Sequence, residues 1–127
     1  MKRSNPSTLH KPLGYTHVVE AMPRRTIYIS GQVAFDQSGA LVGPGDLKAQ
    51  TEQVFQNLKA ALESAGATFD HVAKITIFML DATQIQTYRD VRDRYLKDRL
   101  PASTLVQVVR LARPEWLIEI EAIALLE

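Results

Sequence analysis

The chain has 127 residues, 46% of them hydrophobic and 23% charged, and its 15 basic side chains nearly balance 14 acidic ones. A chain of this length forms one domain of the commonest size and buries enough surface to fold without disulfides or metal. The absence of cysteine excludes disulfide frameworks, thiolate nucleophiles, Fe–S clusters and cysteine-based zinc sites. We therefore predict a single domain over residues 1–127.

Charge and hydropathy also limit the partners. A formal net charge of +1 without a dense basic run argues against nucleic acid as a partner. The longest apolar stretches, such as residues 75–80, fall far short of the ~20 residues of a membrane-spanning helix. Residues 1–14 lack the apolar centre of a signal peptide, so we expect no membrane partner and a cytoplasmic location.

The first third of the chain predicts an irregular lead-in followed by two strands. Residues 1–14 contain two prolines and no periodic apolar pattern, and residues 15–21 favour a short strand that ends before Pro23. Residues 26–35 alternate between apolar and polar side chains and predict a strand with one face on the core. Gly31 interrupts this strand, which indicates a bulge or a place where a ligand or another backbone segment comes close.

The middle of the chain predicts two helices around one strand. Asp46 is a candidate N-cap and Gly66 a candidate C-cap of an amphipathic helix. Residues 71–80 favour a strand, and Asp81 with Gln84 resembles a capping box for a second helix that Pro101 closes. The apolar stripe of that second helix comprises Ile85, Tyr88, Val91, Tyr95 and Leu96.

Two further strands, residues 103–111 and 116–125, complete an α+β domain with the order β-β-α-β-α-β-β and two helices on one sheet face. The even positions of the last strand are all apolar, as expected under helices. Its odd positions combine Leu117, Ile123 and Leu125 with Glu119 and Glu121. Because exposed apolar faces mark interfaces, we expect this second face to be buried against other subunits.

Few residues indicate chemistry by their spacing. The three histidines, His10, His17 and His71, lie in separate segments, and we predict no metal site. Glu119 and Glu121 project towards the expected interface, where desolvation raises the pKa of a carboxyl group and suits it to proton transfer. The alternative is that each pairs with a basic side chain across the interface, since structural ion pairs perturb pKa values as well.

Three motifs resemble those of one family: YISGQV from Tyr28, LESAGATFDHVAKITIFMLD from Leu62 and IEIEAIALLE from Ile118. The chain is identified by them as a member of the reactive intermediate deaminase family (RidA or YjgF-like, also called L-PSP endoribonucleases). The resemblance implies a chorismate-mutase-like fold and a homotrimer with an inner β-barrel. It also implies a small metabolite in clefts between subunits, and hydrolysis of 2-enamine or 2-imine acids to 2-oxo acids and ammonia without a cofactor.

The resemblance assigns roles to individual residues. It implies that Glu119 serves the water and proton steps, that Tyr15 and Ser30 contribute hydrogen bonds in the cleft, and that Gly31 lines the same cleft. The family's arginine, which grips the substrate carboxylate, is expected at position 103, where this chain has Ser103. A hydroxyl lacks the charged bidentate fork of a guanidinium, so this departure changes the substrates that the cleft accepts.

Other side chains near position 103 also affect which substrates the pocket accepts. Leu105, on the same strand face as Ser103, makes the substrate pocket more apolar. Arg89 lies where deaminating members commonly have asparagine, and Arg92 follows one turn later. Either arginine could supply the missing charge; the alternative is that both pair in solvent with Asp90 or Asp93.

Three functions remain open from the sequence. The first is deamination of an enamine or imine outside the usual 2-imino acids, which the retained Glu119 favours. The second is ligand binding without turnover, which Ser103 favours. The third is the RNA cleavage that the family's nuclease label implies, against which the near-neutral charge argues.

Overall fold

The computed structural model describes residues 1–127 and shows two helices packed on a mixed sheet. The helices are α1 (Leu47–Ser64) and α2 (Ile85–Leu96), each preceded or followed by a short 3₁₀ turn. The strands are β1 (Lys2–Ser4), β2 (Val18–Glu20), β3 (Arg25–Gln32), β4 (Val72–Met79), β5 (Ala102–Gln107) and β6 (Ile118–Leu126). The predicted α+β class is confirmed.

The main sheet has four strands in the order β3-β6-β4-β5. Strand β6 is antiparallel to both β3 and β4, and β5 runs parallel to β4 at the sheet edge. Strands β1 and β2 form a separate antiparallel pair. Strand β6 is therefore an inner strand, and its side chains lie in the interior of each sheet face instead of at an edge.

The predicted ends of α1 are confirmed. The Asp46 side chain accepts a hydrogen bond from the Ala49 amide, which caps the first turn. At the other end Gly66 adopts a φ of 74°, and the amides of Gly66 and Ala67 bond back to the carbonyls of Glu63 and Leu62. This pairing satisfies the last carbonyls of the helix and requires the left-handed conformation that glycine adopts readily.

The predicted irregular lead-in, residues 1–14, is wrong at Lys2–Ser4, which form β1. Arg3 explains this order, because its guanidinium donates to the backbone carbonyls of Leu100 and Asp70. These contacts hold the N-terminus against distant parts of the chain, which no local pattern reveals. Strand β2 pairs with β1 instead of joining the main sheet, which therefore lacks the first predicted strand.

Helix α2 is shorter than predicted. Asp81 caps a 3₁₀ turn over Ala82–Gln84, accepting from the Thr83 amide, and α2 itself begins at Ile85. It ends at Leu96, where Lys97 takes a positive φ of 52°, several residues before Pro101. The β5–β6 connection is longer than predicted, from position 108 to 117, and within it Arg113 lies over the Phe35 and Trp116 rings.

The core lies between the sheet and the helices. The even positions of β6 are buried beneath them, as predicted, and the odd positions lie on the opposite face. We call that opposite face the open face; neighbouring strands add the exposed Tyr28 of β3 and Val106 of β5 to it. It consists of Thr26, Tyr28, Ser30, Lys74, Thr76, Phe78, Thr104, Val106, Glu119, Glu121, Ile123 and Leu125.

Neither helix is long and apolar enough to cross a membrane.

A buried glutamine on α1 anchors the start of β6. The side-chain amide of Gln50 donates to the carbonyls of Gly43 and Glu115 and accepts from the Leu117 amide, while the residue is fully buried. It therefore satisfies three backbone groups of two loops. Because Leu117 directly precedes β6, these bonds help to position Glu119.

We expect Gln50→Leu to lower the free energy of unfolding by about 2–4 kcal/mol, since it leaves three partly buried backbone groups without the Gln50 bonds and an unpaired buried group costs about 1–3 kcal/mol. Urea unfolding measures the change. The control is Gln56→Leu, on the exposed side of α1, where no such bonds are lost. Equal stability of the Gln50→Leu variant and the wild type would contradict this assignment.

Candidate functional site

The first group of predicted site residues, Ser30, Gly31 and Glu119, meets on the open face, and we call it the glutamate half-site. The β3–β6 register shifts between Ile29 and Gln32, so Ser30 and Gly31 form a bulge. The Glu119 carboxylate lies directly over Gly31: a methyl group added there would lie 2.8 Å from the carboxyl carbon and still closer to an oxygen. The predicted bulge at this glycine is confirmed, whereas the group that approaches it closely is the Glu119 side chain instead of a ligand or another backbone segment.

The Glu119 carboxyl is disposed to hold a proton more tightly than an ordinary glutamate. Partial burial raises its pKa, and the negative charge of Glu121 raises it further. Glu119 has no ion pair or side-chain hydrogen bond within the chain. It is therefore a carboxylate with vacant acceptor positions beside an open bulge, an arrangement suited to binding and activating water.

The second group lies on the other side of the sheet, and we call it the arginine half-site: Gly14, Tyr15, Tyr88, Arg92 and Ser103. Ser103 pairs with the buried Ile75, which places its side chain on the helix face near the α2 side chains. Tyr88 and Arg92 are one turn apart on α2 and both are buried. The guanidinium carbon of Arg92 lies 5.6 Å from the centre of the Tyr88 ring.

The Tyr88 hydroxyl is buried without a hydrogen-bond partner of good geometry. Burial raises the pKa of Tyr88, while the nearby Arg92 guanidinium and the hydroxyl of Ser103 oppose that rise more weakly. The hydroxyl thus remains protonated and is a free donor. Two hydroxyl groups, each able to donate and to accept, meet a guanidinium here, and the only carboxylate bonded to that guanidinium is the largely exposed Asp93.

Tyr15 lies at the side of this half-site, at the edge of β5. Thr16 forms a parallel bridge with Ala102, and its amide donates to the Pro101 carbonyl over 2.9 Å. The Tyr15 hydroxyl lies 2.6 Å from Nε2 of His10. Tyr15 is therefore held next to the strand residue that precedes Ser103.

The predicted site residues fall into two half-sites that one chain does not join. Glu119 pairs with Phe78 on the open face, whereas Ser103 and Leu105 pair with Ile75 and Ile77 on the helix face. Leu105 packs against the hydrophobic core, and its role in the pocket stays a prediction. Arg89 is half-buried and forms no ion pair within the chain.

The predicted burial of Tyr88 on the apolar stripe of α2 is confirmed, but the sequence patterns assigned no role to Gly14 or His10, and the burial of Arg92 beside Tyr88 was not predicted. The spacing of Tyr88, Arg92 and Leu96, four residues apart each time, already placed Arg92 on the buried stripe of α2. The expected solvent pairing of Arg92 is wrong in one respect. It does pair with Asp93, but the Arg92 side chain is only 10% exposed.

A sequence model described as endoribonuclease L-PSP matches residues 7–126. A RutC family protein of Pyrococcus horikoshii is 37% identical over 115 residues, covering 90% of this chain and 89% of that protein. A mouse protein named 2-iminobutanoate/2-iminopropanoate deaminase is 39% identical over 100 residues, covering 79% of this chain and 73% of that protein.

Solved structures agree in fold. The Rid-family protein YyfB of Yersinia pestis, whose function is unknown, superposes with a TM-score of 0.91 at 38% identity over 98% of both chains. RidA from an Antarctic Psychrobacter has a TM-score of 0.75 at 31% identity, covering 99% of this chain and all of that one. These matches confirm the predicted chorismate-mutase-like fold.

We expect Gly31→Ala to fold but to move the Glu119 pKa back towards its ordinary value, because the new methyl group pushes the flexible carboxylate out of its partly buried position. A pH titration of the Glu119 side-chain carboxyl by NMR, assigned with Glu119→Gln, measures this shift. Ser30→Ala, one residue away, is the control and leaves the Glu119 pKa raised. An unchanged pKa in Gly31→Ala would contradict the contact.

Proposed function

The chain belongs to the RidA/YjgF family, whose sequence model carries the endoribonuclease L-PSP description, and within it we propose that the protein is a hydrolytic deaminase of small reactive enamines or imines. The observation that supports this most is the Glu119 carboxylate, which lies over Gly31 without a protein partner and with a raised pKa. The mouse relative carries the name of an imine deaminase, which supports the same reaction class.

The chemistry requires one base and one acid, and a single carboxyl can serve as both. Glu119 accepts a proton from water as the water oxygen bonds to the carbon of the C=N group. The protonated Glu119 then returns the proton to the nitrogen, which gives a carbinolamine. In a second transfer Glu119 accepts the hydroxyl proton of the carbinolamine and passes it to the nitrogen as the C–N bond breaks, so that ammonia leaves and a carbonyl product remains. An enamine first gains a proton at carbon and loses one from nitrogen to become the imine. No cofactor enters these steps.

We further propose that the working form is a homotrimer, as is typical of the family. The open face carries Tyr28, which is 78% exposed, beside Ile123 and Phe78, and exposed apolar faces of this kind mark interfaces. The two half-sites lie on opposite faces of the sheet within one chain. In a ring of identical chains, the open face of one chain meets the β5 edge of the next, which brings complementary half-sites together.

Binding without turnover is the second candidate, and Ser103 favours it. The family resemblance implies an arginine at this position, and its loss removes a charged donor for a substrate carboxylate. A protein with this change can retain the cleft yet hold a different metabolite. RNA is a weaker candidate ligand because the net charge of +1 offers little electrostatic attraction to phosphate.

We expect ammonia release above the buffer rate from 2-iminobutanoate generated in situ or from a neutral enamine. Loss of the general base predicts that Glu119→Gln is slower by at least about 100-fold. Glu121→Gln retains the base, and because it removes a charge that raises the Glu119 pKa, the acid limb of its pH–rate profile moves to lower pH. No rate above buffer with either substrate would contradict deamination and favour ligand binding.

For the assembly, we expect Tyr28→Asp to dissociate the trimer, since it places a charge in an apolar interface. Size-exclusion chromatography with light scattering at micromolar concentration measures the mass. Gln56→Asp adds the same charge on the exposed side of α1 and retains the trimer. A wild-type monomer, or a trimer unaffected by Tyr28→Asp, would contradict the proposed interface.

A further inference from the structure

The most unusual charged group in the molecule is Arg92. The residue is 8% exposed and lies on the buried stripe of α2 between Tyr88 and Leu96. Burying a guanidinium costs free energy unless its donors are satisfied, and arginine is rarely buried without such compensation. The hydrogen-bond partner of each Arg92 N–H group therefore decides how well this buried charge is compensated.

Arg92 is only partly compensated. Its Nε and Nη2 atoms both donate to one oxygen of Asp93, over 3.0 and 2.8 Å, instead of forming a pair of parallel bonds to two oxygens. The Asp93 side chain is itself 60% exposed, so solvent screens that pair. Nη1 has no hydrogen-bond partner within the chain, and of five N–H donors at least three remain available.

Gly14 leaves room for this guanidinium. A methyl group added to Gly14 would lie 2.5 Å from the guanidinium carbon and 2.6 Å from Nη1, closer than any real contact. Gly14 also has a φ of 78°, which disfavours a side chain on its own account. The backbone turn at Gly14 thus lies across Arg92, and the side chain of the next residue, Tyr15, contacts His10 and His17.

The uncharged polar neighbours of Arg92 are hydroxyl groups, which can donate to a bound anion as well as accept. The Tyr88 hydroxyl is buried without a partner, and the Ser103 hydroxyl lies beside it. Asp93 is the only acidic group bonded to Arg92, and its carboxylate lies towards solvent. A cluster with surplus donors and a positive charge favours an anion, and the planar fork of a guanidinium matches a carboxylate.

Accepting the proposed deaminase function, we propose that Arg92 binds the substrate carboxylate in this chain, assisted by the hydroxyl groups of Tyr88 and Ser103. The substrate class is then a small 2-imino or 2-enamine acid, despite the serine at position 103. The charge originates on α2 instead of on β5, and the substrate is held by a different side of the cleft.

Binding of 2-oxobutanoate, the carbonyl product of such a substrate, tests this without turnover. Calorimetry compares it with the neutral 2-oxobutanamide, and the wild type is expected to prefer the acid. Arg92→Gln is expected to weaken acid binding by about 30-fold or more, the usual effect of removing one partner of a buried charge pair. Arg94→Gln, on the exposed side of the same helix, is the matched control and binds as the wild type does.

Two further variants distinguish an Arg92 that binds the carboxylate from an Arg92 that only supports the fold. Asp93→Asn removes the competing acceptor from an exposed position and is expected to tighten 2-oxobutanoate binding severalfold, whereas a purely structural Arg92 predicts no gain. Arg89→Gln is expected to weaken binding less than Arg92→Gln does. The proposal would be overturned by equal binding of acid and amide, by a larger effect of Arg89→Gln, or by no gain in Asp93→Asn.

The outcomes separate this proposal from the deaminase function. If the acid binds through Arg92 but no ammonia is released from any imine, the carboxylate site stands and deamination fails. If neutral enamines are hydrolysed while the acid binds no better than the amide, deamination stands and the carboxylate site fails. Thermal melting checks that Arg92→Gln is folded; should it unfold, Arg92→Lys and Asp93→Asn give the same discrimination.

Discussion

Strand β6 lies in the middle of the sheet, paired with β3 on one side and β4 on the other. Its even positions are buried beneath the two helices, and this burial fixes its register, because a shift by one residue would turn every apolar side chain to the other face. The same constraint directs Glu119 and Glu121 to the open face. Packing of the core thus places Glu119 next to Glu121 in a partly buried position, and this position raises the pKa of Glu119.

Each half-site depends on a glycine that allows a charged group to approach the backbone. Gly31 accommodates the Glu119 carboxylate at a bulge in β3, and Gly14 accommodates the Arg92 guanidinium at a turn that precedes β2. In both cases an added methyl group would occupy the position of the charged atoms. The Glu119 carboxylate and the Arg92 guanidinium lie on opposite faces of the sheet of one chain. The glutamate half-site of one chain can therefore meet an arginine half-site only if a second chain supplies it.

Much of this fold could be predicted from the sequence, because period-two and period-3.6 patterns report burial directly. Residues 116–125 revealed a strand with two different faces, and Asp46 and Gly66 marked the ends of α1 correctly. Lys2–Ser4 escaped prediction because Arg3 holds that strand through contacts with Leu100 and Asp70, far along the chain. The arginine half-site escaped for the same reason: it joins positions 14, 92 and 103 through tertiary packing.

Stability alone gives a poor account of Arg92. Replacing a buried ionic group by an apolar side chain of similar size is often neutral or stabilising, so a helix that needed only packing at this position would be served by leucine or methionine. The unpartnered Tyr88 hydroxyl next to it adds a second group that packing alone does not require. Two buried donor groups whose only acidic neighbour is a largely exposed carboxylate cost folding free energy, and a bound anion would recover it. Buried donors that lower stability in the free protein and gain partners only from a ligand are a feature of a binding site, whereas the polar groups of a hydrophobic core have their partners within the protein.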